Sequence, residues 1–185
     1  MSRGISLKKT FWIIGLVLLC SVSSFAQQGG DAEAPYSWAL GLQTGPYLPN
    51  QIPNVTEIQP TTILRFSFPS NATKATEYML SASNAEGVTI YNLSISSKTE
   101  MVIEGGLNSL LYIGLDATSF KTQYNGSFNT KGGVHLGIGL LMPMGGDTNF
   151  RMDMKFNFSN PGTALQLGFG FEIRYPQGDA AAEGN

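Results

Sequence analysis

The chain holds a single cysteine, Cys20, and a single histidine, His135, in 185 residues. One cysteine excludes a disulfide framework and any cysteine-based zinc site. Charge is scarce as well: Asp, Glu, Lys and Arg make up 13% of the chain, against about 25% in an average globular protein. Eleven Lys and Arg stand against thirteen Asp and Glu, so there is no basic excess and no nucleic acid partner is expected. No apolar run reaches the ~20 residues of a membrane-crossing helix. No segment has convincing helical periodicity, and no repeat recurs at domain scale. What is plentiful is apolar or small: 42% hydrophobic residues, 11% aromatic and 22 glycines. A disordered chain does not have that aromatic content with so little net charge, and the length suits one domain.

Residues 1–26 read as a secretory signal peptide. Arg3, Lys8 and Lys9 form its positive end, Phe11 to Leu19 its apolar stretch, and Ser24-Phe25-Ala26 a small-residue cleavage site. Leu19 stands before Cys20 where lipidation needs a small residue, so a lipid anchor is not expected. Cleavage after Ala26 would leave an exported, mildly acidic chain without cysteine. Residues 27–35 read as a flexible leader, 36–175 as the folded domain and 176–185 as a flexible tail.

Through the folded domain the dominant signal is a period of two, the mark of strands with unlike faces. Leu165, Leu167, Phe169, Phe171, Ile173 and Tyr175 share one face, with Gln166, Gly168, Gly170, Glu172 and Arg174 on the other. Phe150, Met152, Met154, Phe156 and Phe158 oppose Arg151, Asp153, Lys155 and Asn157 in the same way. Val134, Leu136, Ile138, Leu140 and Met142 oppose His135, Gly137 and Gly139. Weaker alternation covers Trp38 to Gln43, Leu64 to Phe68, Glu77 to Ser83 and Leu111 to Ala117. Ser96-Ser97-Lys98-Thr99 resembles a turn, yet Tyr91, Leu93 and Ile95 share parity with Met101 and Ile103. One long strand is therefore predicted there, for eight strands in all. Short turns follow Pro69, Asn84, Gly105, Pro143 and Ser159. Two connections read as longer: Pro46 to Pro60, and a polar one from Phe120 to Gly133 containing Tyr124 and Phe128.

Such alternation suits a soluble barrel or sandwich with its apolar faces inside, lipocalin-like and binding a small hydrophobic ligand. It equally suits a membrane barrel with its apolar faces outside. Three features favour the second. The apolar faces are deep enough for strands of about 9–11 residues that cross an outer membrane. Glycines crowd the polar face, where a small closed barrel has little room for side chains. Tyr36, Trp38, Tyr47, Phe150, Phe158, Phe169 and Tyr175 fall near segment ends, as interfacial girdles do. The polar face also carries Arg65, Asp116, Arg151, Asp153, Lys155, Glu172 and Arg174. Inside a narrow barrel these must pair with one another, because an unpaired buried charge is very costly.

The signal peptide, the eight alternating segments and the final Gly168-Phe169-Gly170-Phe171-Glu172-Ile173-Arg174-Tyr175 stretch resemble the small outer-membrane β-barrel proteins, the OmpA/OmpX/OmpW-like group. The resemblance implies an all-β fold: a closed eight-stranded antiparallel up-and-down transmembrane β-barrel in the bacterial outer membrane. Leu165, Leu167, Phe169, Phe171, Ile173, Met152, Met154 and Phe156 would then face lipid. Phe169, Phe171 and Tyr175 would provide the signal read by the barrel-assembly machinery, although here the chain continues to Asn185. With both termini in the periplasm, the connections Pro46 to Pro60, Asn84 to Gly87, Phe120 to Gly133 and Ser159 to Gly162 lie outside. The Phe120 to Gly133 loop is a candidate contact for an extracellular partner.

Chemistry is thinly represented. Lipid A deacylases of similar architecture place a serine two residues after their histidine, and here that position is Gly137. Asp116, Asp147 and Asp153 are scattered, and one histidine without cysteine is a poor metal ligand set. Gly137-Ile138-Gly139 and Gly168-Phe169-Gly170 lie within strands and precede no helix, so they are not phosphate loops. Neither a cofactor nor a catalytic residue is expected. The sequence points to a non-enzymatic barrel with a lumen filled by side chains and a role in envelope structure or surface interaction.

Overall fold

The structure is a computed structural model that describes residues 34–50, 58–85, 87–103, 106–122, 125–159 and 162–176, with the backbone alone at 122 and 125–127. The signal peptide, most of the leader, Tyr124 and the tail beyond Pro176 lie outside the described residues. Eight strands follow in chain order: β1 (Trp38–Asn50), β2 (Gln59–Pro69), β3 (Lys74–Ala85), β4 (Val88–Val102), β5 (Asn108–Thr122), β6 (Asn125–Gly145), β7 (Thr148–Ser159) and β8 (Thr163–Tyr175). Each pairs antiparallel with the next, and β8 pairs with β1, closing the barrel.

The closure is staggered. Following facing partners from Leu40 leads through Phe66, Tyr78, Ile95, Leu115, Val134, Phe158 and Thr163. The path returns to β1 at Asn50, ten residues beyond its start. Such a shear tilts the strands against the barrel axis and leaves an interior that side chains just fill. The Ser96 to Thr99 stretch is continuous strand within β4, because its even-numbered residues keep facing inward past the apparent turn.

Two expected loops are corrected. β1 continues through Pro46 to Asn50 and β2 already begins at Gln59, with Pro46 facing Pro60. The described part of residues 120–133 is strand as well: β5 runs to Thr122 and β6 starts at Asn125, with Phe120 facing Asn129 beside a register shift. Polar residues concealed the strand there because they extend it past the apolar belt. At the opposite end, the Asn71 side-chain oxygen accepts from the Thr73 and Lys74 amides, tightening the β2–β3 turn.

The faces are the reverse of those in a soluble barrel. Leu42, Ile113 and Phe171 are 59%, 62% and 51% exposed, whereas Arg65, Glu77 and Arg151 are at most 2% exposed. Leu165, Leu167, Met152 and Met154 stand half-buried, and Phe156, Phe169 and Ile173 exposed, on the same outer face. This outer belt surrounds the molecule, far beyond the few hundred Å² of contiguous apolar surface that a soluble monomer tolerates. The lipocalin-like arrangement, with apolar residues lining a ligand pocket, is therefore overturned. At the end carrying the termini, Trp38 and Tyr175 stack at 3.8 Å and form part of an aromatic rim. Tyr36 and Tyr47, expected in such rims, are instead buried at 3% exposure. The odd number of Tyr47 places it with Gly41 and Gln43 on the inward face of β1, whereas Tyr36 precedes that strand.

Glycine allows large side chains to cross the interior. Tyr112 lies over its facing partner Gly137, where an added Cβ would overlap the ring. Gly137→Val is predicted to displace Tyr112 and to lower unfolding stability by about 1–3 kcal/mol, the usual range for overpacking. A reduced urea midpoint for the folded band of the refolded protein would check it.

Candidate functional site

The lumen is the place where this sequence concentrates its chemistry. Its inner half, toward the termini, is an ion network centred on Arg151 of β7. The Arg151 guanidinium donates to Glu77 (2.6 and 3.0 Å), to Glu172 (2.7 Å) and to Asp153 (2.8 and 3.2 Å). Glu77 belongs to β3, on the far side of the barrel, so this contact spans the lumen. Arg65 donates to Glu77 at 2.6 Å and to Gln43 at 2.6 Å, and lies 3.6 Å from Asp153. Its guanidinium also sits 5.4 Å from the centroid of the Tyr112 ring. Lys98 donates to Ser67 at 3.1 Å and stands 3.7 Å from Glu77. At the inner rim, Arg174 pairs with Glu100 at 2.6 Å and with Glu172 at 3.1 Å, under the Tyr36 ring. Burial raises the pKa of the Tyr36 phenol, which keeps that ring neutral.

A second cluster lies farther out. Lys155 donates to Asp116 at 2.8 Å, to Ser94 at 2.6 Å and to Asn92 at 3.2 Å, and Ser94 also donates to Asp116. His135 Nε2 is 2.7 Å from Ser96 Oγ, and its Nδ1 is 3.1 Å from Asp116 Oδ1. The two residues reach each other across β5 because Gly114 lies between them in the register. A Cβ on Gly114 would come within 2.7 Å of the imidazole. Beyond this cluster, at the outer end, Tyr47, Val88, Ile90 and Ala164 form a buried apolar cluster, with Phe120 packed against them.

All seven charges expected in the lumen fall in these two clusters: Arg65, Arg151, Asp153, Glu172 and Arg174 in the inner network, Asp116 and Lys155 in the outer one. Among the described residues Glu77, Lys98 and Glu100 join these clusters without having been singled out from the sequence. Parity could have found them. Glu77 shares the inward face with Met79, Ser81 and Ser83, and Lys98 shares it with Ser94 and Ser96, inside the stretch that resembled a turn. Ser96 was equally hidden, since its approach to His135 depends on strand order and not on sequence spacing.

Ser96, His135 and Asp116 stand at the separations of a Ser-His-Asp relay. Hydrolysis also needs room for an acyl group and donors for its developing oxyanion. Ser96 is 4% exposed, and its hydrogen bond to His135 joins β4 to β6 across Gly114 of β5. Among the described residues, no three His, Cys, Asp or Glu side chains gather as a metal site.

The network makes a sharp energetic prediction. Arg151→Met leaves Glu77, Asp153 and Glu172 without their shared cation, and breaking a buried ion pair from one side costs about 3–5 kcal/mol. Adding Glu77→Gln to that variant is expected to recover part of the loss. Urea unfolding of the single and double variants checks both statements.

No family model matches the chain, and no characterised protein matches it by sequence. Solved structures do match it by shape. Neisserial surface protein A superposes with a TM-score of 0.63 at 9% identity, covering 75% of this chain and 97% of that one. The N-terminal β-barrel domain of Pseudomonas aeruginosa OprF gives 0.60 at 9% identity over 76% and 98%. Ail, the attachment invasion locus protein of Yersinia pestis, gives 0.51 at 13% identity over 77% and 99%. At these identities the likeness is one of fold, and the fold is that of the small eight-stranded outer-membrane β-barrels.

Proposed function

We propose that the protein is a non-enzymatic integral barrel of the bacterial outer membrane, with a closed lumen and a role in envelope structure or surface contact. The observation that carries this reading is the pairing of Arg151 with Glu77 across the lumen, beneath a continuous apolar outer belt. Charges braced from wall to wall leave no wide aqueous path, and the belt needs lipid to cover it. Residues 1–26 would direct export and be cleaved. Phe169, Phe171 and Tyr175, whose side chains all stand on the outer face of β8, would be read by the assembly machinery.

Orientation follows from the two ends. The longest connection, from Asn50 to Gln59, lies opposite the termini, and bacterial barrels turn their longer loops to the extracellular side. The taller β5–β6 hairpin then projects outward, and its outer surface is the part best placed to meet an extracellular partner.

The reading predicts that unboiled protein in SDS migrates as a distinct compact band, which boiling converts to the unfolded mobility. In planar bilayers the folded protein should show no large, stable conductance steps. Wide-pore conductance would contradict the braced lumen, and a detergent-free soluble protein would contradict the membrane reading.

A further inference from the structure

The apolar belt changes character at the outer end of β4, β5 and β6. Outward along the facing rows, its lipid-side residues are Leu111 with Ile138, Ile113 with Leu136, then Ile95, Leu115 and Val134, then Leu93 with Ala117. The next row is Tyr91, Ser119 and Thr130, and beyond it Thr89 faces Lys121. The Ser119 and Thr130 hydroxyls share a hydrogen bond of 2.6 Å. Phe128 leans on Tyr91 with ring centroids 5.8 Å apart, and Lys121 Nζ lies 5.6 Å from the centre of the Phe128 ring. Tyr91 and Phe128 are 44% and 52% exposed. On one unbroken face, aliphatic side chains give way to hydroxyls, two rings and an ammonium.

Lys121 holds a singular position. Among the described residues, Arg65, Lys98, Arg151 and Lys155 are enclosed in the lumen, and Arg174 and Lys74 belong to the opposite end. Lys131 faces Thr118, whose side chain is buried on the lumen side. Lys121 is thus the cation that the outer end presents on the lipid-side face, and among the described residues it has no carboxylate partner. An ammonium there is unfavourable against hydrocarbon and favourable against an anionic headgroup layer.

We infer that this patch takes the phosphorylated saccharide headgroup of an anionic glycolipid in the outer leaflet. The Lys121 ammonium meets the phosphate, and the Tyr91 and Phe128 rings with the Ser119 and Thr130 hydroxyls meet the sugar. Charge complementarity and continuity with the lipid-covered belt select this occupant over a protein. The inference rests on the membrane reading and orientation proposed above.

The test uses folded full-length protein in neutral detergent micelles, with lipid retention read by native mass spectrometry. The probe is a bis-phosphorylated glucosamine-disaccharide lipid, compared with its dephosphorylated form. Wild type should retain the phosphorylated lipid about fivefold more tightly than Lys121→Gln, the effect of one cation at an anionic surface. Lys74→Gln, at the opposite rim, should match wild type, and the dephosphorylated lipid should abolish the difference. Equal retention by Lys121→Gln, or an equal loss in Lys74→Gln, overturns the assignment. A protein that shows no boiling-dependent band in the same micelles overturns the membrane reading itself, whereas a shifted band with unchanged Lys121→Gln retention overturns only the lipid site.

Discussion

Closure of the backbone ladder is the constraint on which the rest of this structure depends. In hydrocarbon a strand edge has no water to satisfy its N–H and C=O groups, so β8 must return to β1. Closing eight strands with the observed stagger fixes a narrow interior. Whatever faces inward must then pack, pair or be absent. The structure uses all three outcomes: Tyr112 packs over Gly137, the lumen charges pair, and glycine replaces side chains where two large groups meet.

The lumen is layered as a result. Ionic groups occupy the inner half, the Lys155, Asp116 and His135 cluster follows, and a buried apolar cluster lies at the outer end. Each carboxylate of the inner network touches at least one cation within 4.0 Å. Such networks contribute little net stability over a well-packed apolar core, but they penalise every arrangement that leaves one member unpaired. That penalty helps select register. A one-residue slip of β7 would turn Arg151, Asp153 and Lys155 into lipid and place Met152 and Met154 against the carboxylates.

Most of the fold was legible in the sequence because the period of two is forced by physics in each strand. The alternation of Leu165 to Ile173 and of Phe150 to Phe158 could be read directly, as could the seven lumen charges. Legibility failed where the outer environment changed. Residues 120–133 leave the belt, so their outward face turns polar and the strand looked like a loop. Proline had the same effect at Pro46 and Pro60, where strands continue through residues that usually interrupt them. Tyr36 and Tyr47 were assigned to rims by residue type, although parity already placed Tyr47 inside. The contact of His135 with Ser96 was beyond reach, because it depends on Gly114 standing between two strands that are distant in sequence.

The central claim is that the alternating apolar face meets lipid while the charged face is sealed within the barrel. Cys20, the only cysteine, lies within the segment proposed to be cleaved, so the chain from Gln27 onward gives a cysteine-free background for single spin labels. Labels placed at Leu42, Ile113, Leu136 and Phe171 in lipid vesicles report collision with oxygen, which prefers hydrocarbon, and with a water-soluble nickel complex. High oxygen and low nickel collision at all four positions is the predicted result. Nickel collision comparable to that of a label in bulk water at these positions would contradict the account.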